Sequence, residues 1–174
     1  MDFANIVNLF ERPLPFGWLY PCSLQDIASS LSRLPIHDLE GLWAVGLVPS
    51  TQKENTADAR YFSGEKPTIH VYSYRETLNY KQPPHVKQGD IEQGLAIEMA
   101  YGMCLEMVGR RWICQWSRDN LRRFILDHVL IHEIGHHVFH QQRLKQKLTA
   151  SPSARLREQF AEDYARRHSQ LRNT

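Results

Sequence analysis

In the apolar stretch Val129–His140, His132, Glu133 and His136 form the pattern H-E-x-x-H. On an α-helix, residues four apart stand one above the other with Cβ atoms about 5–6 Å apart, so His132 and His136 can aim two imidazole nitrogens at one point. Two such nitrogens are half of a tetrahedral zinc's ligands. Glu133 lies about 100° round the helix from His132, which sets its carboxylate beside a metal and not on it. From there it can take a proton from a zinc-held water, whose pKa the metal lowers to about 7. The chemistry these residues suit is hydrolysis by an activated water.

A helix must carry the motif, and the flanking residues describe one. Ser117 has the character of an N-cap, and Leu121, Phe124, Ile125, Val129, Ile131, Ile134, Val138 and Phe139 spread round nearly the whole circumference. A helix apolar on almost every side is a buried central helix. Imidazoles and a carboxylate are costly in such a place unless something pairs with them, and a metal does so. Gly135 at mid-helix costs about 1 kcal/mol against Ala, which makes sense where another backbone approaches closely.

A second helix is predicted downstream, with Ser151-Pro152 as N-cap and first residue. Ala154, Glu158, Ala161, Glu162, Ala165 and Ser169 fall on one stripe, small throughout except for two carboxylates. Small residues allow tight packing against the motif helix. Glu158, 22 residues after His136, is then placed to be the third protein ligand. Glu162, one turn on, is placed to accept the other ring N–H of a ligand histidine.

HEIGHH followed by Glu158-Gln159-Phe160-Ala161-Glu162-Asp163-Tyr164-Ala165 resembles the gluzincin metallopeptidases, in particular their small and lethal-factor-like branches. The resemblance covers about residues 117–170. It implies a zincin-like fold, zinc (Zn2+) held by His132, His136 and Glu158, and Glu133 as general base. The metzincin pattern requires Gly at 139 and His at 142, where this chain has Phe139 and Gln142. The lethal-factor-like branch places a Tyr shortly before its glutamate ligand, and residues 141–157 contain none. The donor to a developing oxyanion is therefore open among Tyr61, Tyr101, His168, His70 and His85. Of the other histidines near the motif, His128 is expected to donate to a nearby polar group, and His137 and His140 to lie at the rim or surface.

Composition narrows the setting. At 174 residues the chain is expected to form one domain, 1–174, with ordinary hydrophobic (42%) and charged (23%) fractions. A net charge of +2 is too small to indicate nucleic acid or an acidic membrane surface as partner. Arg143, Lys145, Lys147, Arg155, Arg157, Arg166, Arg167 and Arg172 read as solvated helix faces. Cys22, Cys104 and Cys114 are odd in number, contain no C-x-x-C pair and lie far from the motif, so reduced thiols and a cytoplasmic setting are expected. The first residues lack a basic and then apolar leader pattern.

The remaining chain supplies a sheet. Residues 1–22, rich in Pro, Phe and Trp, read as irregular. Ser23 and Asp26 form a capping box before a helix over 24–33. Residues 41–49 read as a strand, 50–58 as a polar loop, and 59–62 and 68–74 as a hairpin. Pro83, Pro84 and Gly89 punctuate an irregular stretch over 75–90 with the character of a flap over the cleft. The period of two from Leu95 to Met107 predicts a strand, although Ile91, Leu95, Met99 and Gly102 also tolerate a helix, and 112–116 reads as a last strand leading into the motif helix. The fold class is α+β, a mostly antiparallel sheet packed by an active-site helix and a second helix carrying the third ligand. The expected activity is that of a zinc-dependent metallopeptidase acting on a protein or peptide substrate. A narrower alternative, an ImmA/IrrE-type regulatory peptidase acting on a repressor, uses the same site; a non-catalytic zinc-stabilised binding module is the third.

Overall fold

Capping chemistry opens the first helix. In the computed structural model, which describes residues 7–50, 58–81 and 87–169, helix α1 spans Leu24–Leu31. Ser23 Oγ accepts the Asp26 N–H at 3.2 Å and Asp26 Oδ2 accepts the Ser23 N–H at 2.9 Å, the reciprocal box that the sequence predicts. Asp26 also accepts the Arg122 Nε–H at 2.9 Å, which ties α1 to a later helix. That hydrogen bond holds the Asp26 carboxyl well below the usual carboxylate range. A depressed carboxyl contributes stability above its unfolded pKa, about 3.9, and loses it as pH falls through the folded value. Asp26→Ala is therefore expected to cost about 1–2 kcal/mol at pH 7 in urea unfolding, with the difference shrinking below about pH 4.

The main sheet has the order β1 (Asn8–Glu11), β3 (Ala44–Val48), β5 (Thr68–Tyr72), β4 (Ala59–Phe62). Every residue of β3 is buried, as a strand covered on both faces requires. β1–β3 and β3–β5 pair in parallel, while β4 turns back antiparallel on β5 and forms an edge. This corrects the expectation of a mostly antiparallel sheet beside the motif helix. Parallel neighbours need a crossover, and α1 supplies it between β1 and β3 while the excursion through β4 supplies it between β3 and β5. The two smaller sheets are antiparallel: β2 (Trp18–Leu19) with β6 (Tyr74–Arg75), and β7 (Asn79–Lys81), β9 (Arg111–Gln115) and β8 (Cys104–Val108) in that order.

Three further expectations are revised. The N-terminal segment is not wholly irregular, because β1 and β2 belong to sheets. Residues 75–90 likewise contain β7 and the start of α2 (Gln88–Gly94); 82–86, with Pro83, Pro84 and His85, lie outside the described residues, as do 51–57 of the polar loop. The predicted strand over 95–107 is in fact α3 (Ala96–Ala100) followed by β8. Gly102, at φ +90°, makes the break, and a Cβ there would meet the Asn120 side chain at 2.4 Å.

Ser117 caps the next helix as expected, its Oγ accepting the Asn120 N–H at 3.2 Å. α4 (Arg118–Phe124), a π turn over Ile125–Val129 and α5 (Leu130–Lys145) follow without a break. Ile125, Leu130, Ile131 and Ile134 of this column are buried in one core with Val45, Leu47, Ile69 and Val71 of the sheet. α6 (Ala154–His168) begins after Ser153, not Ser151: Ser153 Oγ accepts the Leu156 N–H at 3.2 Å, and Pro152 sits in the loop before it. Cys22, Cys104 and Cys114 form no disulfide with one another. No helix among the described residues is long and apolar enough to cross a membrane.

Candidate metal centre

The centre forms where α5 and α6 touch. A Cβ on Gly135 would lie 2.8 Å from Ala161 Cα and 3.0 Å from Tyr164 Cβ, so the helix backbones meet here as the sequence predicts. Ala161 and Ala165 are fully buried on the facing stripe. Gly135→Ala gains about 1 kcal/mol of helix propensity but forces α6 outward. The net expectation is a loss of about 1–3 kcal/mol in chemical denaturation. Unchanged or improved stability would mean that α6 yields freely at this point.

This contact brings the predicted ligands together. Glu158 Oε2 lies 3.4 Å from His132 Nε2 and 3.5 Å from His136 Nε2. Ligand atoms about 2.0–2.1 Å from a tetrahedral ion are about 3.4 Å apart, so these two distances would suit a zinc ion. The two imidazoles stand at 86° to each other with centroids 4.8 Å apart. Burial lowers the His136 pKa, which favours the neutral ring that a metal needs.

His132 Nδ1 gives an independent sign. It is buried without a hydrogen-bond partner, and Glu162 Oε2 stands 3.5 Å away. An imidazole that gives Nε2 to a metal carries its proton on Nδ1, and a carboxylate is the usual acceptor. The same Glu162 oxygen lies 3.6 Å from His128 Nε2, beyond the length of a hydrogen bond. His128, His132 and Glu162 are also close enough to ligate an ion. Only the His132–His136–Glu158 group, however, lies on the cleft described next.

That cleft, about 510 Å³, runs between β4, α5 and the start of α6. Glu133 Oε2 accepts the Tyr61 N–H of the edge strand at 2.6 Å. Burial pushes the Glu133 carboxyl up, against the opposing pull of His132 and of the Tyr61 hydrogen bond. A carboxylate with a raised pKa is a better proton acceptor near neutral pH than an exposed one. Sequence reasoning did not find the Tyr61 bond, since no local pattern encodes a contact across 72 residues.

Of the oxyanion donors considered, Tyr61 is the one among the described residues that lines the cleft. Its hydroxyl is 2.9 Å from His140 Nδ1, and burial pushes the phenol to about 12. Tyr101 is buried behind the site against Ser169 Oγ, 3.0 Å away, and His168 packs on Tyr164. His70 lies among Phe10, Phe62 and Tyr72, and His85 is outside the described residues. The rim position expected of His140 holds, but that of His137 does not: His137 is fully buried. Its Nε2–H donates to the Glu40 carbonyl at 3.0 Å and its ring meets Tyr61 edge-on, because the chain before β3 and the edge strand cover this flank of α5.

Comparison with protein-family models, with curated proteins and with solved structures finds no match to this chain, so residues and geometry carry the functional conclusion.

Proposed function

We propose that this chain is a zinc-dependent metallopeptidase of the gluzincin kind. The observation that supports it best is the approach of Glu158 Oε2 to within 3.4 Å of His132 Nε2 and 3.5 Å of His136 Nε2, separations that suit tetrahedral ligands, in the lining of a cleft that Glu133 also lines. Bound zinc would polarise a carbonyl and acidify a water. Glu133 would act as the proton acceptor and then as the donor to the departing amine, and the Tyr61 N–H keeps its carboxylate oriented for both roles. Glu162 holds the proton on His132 Nδ1, so that Nε2 keeps its lone pair outward. The edge strand β4 offers an extended substrate a backbone to pair with.

A purely structural zinc is closed by four protein ligands. Here three ligands face an open cleft and the adjacent Glu133 lies beside them, which favours catalysis over the binding-module alternative. The test is zinc titration of the metal-free chain followed by incubation with a mixture of unstructured peptides, read by mass spectrometry. One zinc per chain and zinc-dependent new termini support the reading; zinc uptake with no cleavage of any peptide would overturn the enzymatic part.

A further inference from the structure

The cleft has a charge pattern that the catalytic chemistry does not require. Arg60 on β4, Arg143 near the end of α5 and Arg157 on α6 line it, and among the described residues the carboxylates that line it are Glu133 and Glu158. Those two balance the charge of a divalent ion, which leaves three arginines facing the substrate space. Arg60 stands on the strand side of the cleft and Arg157 on its helix side. Neither has an ion-pair partner among the described residues. Other cations nearby are paired: Lys145 lies 3.7 Å from Glu40, and Arg166 3.3 Å from Asp163. Arg143 is partly engaged, donating to the Ala150 carbonyl and lying 5.8 Å over the Phe139 ring.

From this distribution we infer that the site takes peptides with acidic side chains flanking the scissile bond, held by Arg60 from the strand side and Arg157 from the helix side. This rests on the peptidase reading of the same site. Arginine is suited to the task, because its planar fork meets a carboxylate with two parallel hydrogen bonds. An arginine left unpaired beside a cleft gains most from a ligand that brings the missing anion. Arg157 is exposed, as its reading in a solvated helix face expects, and it also lines the cleft immediately before Glu158.

The experiment uses the full chain loaded with zinc. Binding is measured by fluorescence anisotropy on the Glu133→Gln variant, and cleavage on the wild type. The probes are labelled ten-residue peptides blocked at both ends, identical except for Glu, Gln or Lys on either side of the central bond. A fourth probe is the Gln peptide with a free C-terminal carboxylate. The Glu peptide is expected to bind about tenfold or more tightly than the Gln peptide at low salt, with the advantage falling as salt rises. In the Arg60→Gln/Arg157→Gln double variant the ratio should fall close to one. Both positions are exposed and unpaired, so retained helix content and zinc stoichiometry would show an intact fold.

Equal binding of the Glu and Gln peptides, preference for Lys, or a ratio unchanged in the double variant would overturn the inference. Preference for the free-carboxylate probe alone would also overturn it, assigning the arginines to a chain terminus instead. The two levels separate cleanly: cleavage without acidic preference removes this inference and leaves the peptidase, whereas acidic preference with no cleavage anywhere removes the peptidase and leaves an acidic-peptide site.

Discussion

Glu158→Ala is expected to remove stoichiometric zinc binding while leaving the fold almost untouched. In the proposed site α6 contributes one ligand, Glu158, whose side chain is 61% exposed. Its loss leaves two imidazoles from a single helix, an incomplete set for zinc. The affinity loss should exceed the roughly 10–100-fold typical of residues that support a ligand without touching the metal. Glu162→Gln belongs to that milder group and gives the internal comparison, since it only weakens the acceptor facing His132 Nδ1. Unfolding of metal-free Glu158→Ala should fall within about 0.5 kcal/mol of wild type, as for other exposed substitutions. Competition with a chromophoric chelator measures both affinities. Equal zinc affinity in Glu158→Ala and wild type would exclude Glu158 as a ligand.

Glu133→Gln should have the opposite signature: zinc retained, with kcat reduced by about 10²–10⁴. The amide keeps an oxygen to accept the Tyr61 N–H, so the loss falls on proton transfer and not on geometry. The metal-free protein gives a second readout. Burial raises the Glu133 pKa, and a raised carboxyl contributes stability below its unfolded pKa, about 4.3, that is lost as pH rises through the folded value. Glu133→Gln does not titrate. The metal-free variant should therefore match wild type in acid and become the more stable of the two as pH rises past about 4.3. A wild type that stays the more stable of the two at neutral pH would show that the carboxylate is compensated without metal.

Much of the site was legible in sequence because its determinants are local. The four-residue spacing of His132 and His136, the glycine between them and the stripe bearing Glu158 and Glu162 each follow from helix periodicity, and the structure brings these side chains together. The caps Ser23 and Ser117 and the hairpin of β4 with β5 are equally short-range. What escaped depends on distance or competing signals. The parallel register of β1, β3 and β5 joins segments whose local patterns do not encode their partners. Between Leu95 and Met107 an alternating pattern overlies an i, i+4 pattern, and the helical one prevails up to Tyr101, where Gly102 ends it. His137 was misplaced because the cover on its side of α5 comes from Glu40 and Tyr61, each remote in sequence.

The Tyr61–Glu133 contact has a meaning for the geometry of cleavage. An edge strand ordinarily presents its outward N–H groups as an unbroken row of rungs. On β4 the rung at Tyr61 is already occupied by the Glu133 carboxylate. A peptide laid along this edge under the proposed mechanism would be gripped on either side of that point and left loose at it. A carbonyl fixed in a sheet ladder resists becoming tetrahedral, because its hydrogen-bond partner holds it in plane. One facing a missing rung beside Glu133 is free to pyramidalise. The ladder's gap would thus select which bond of an otherwise uniform backbone is broken.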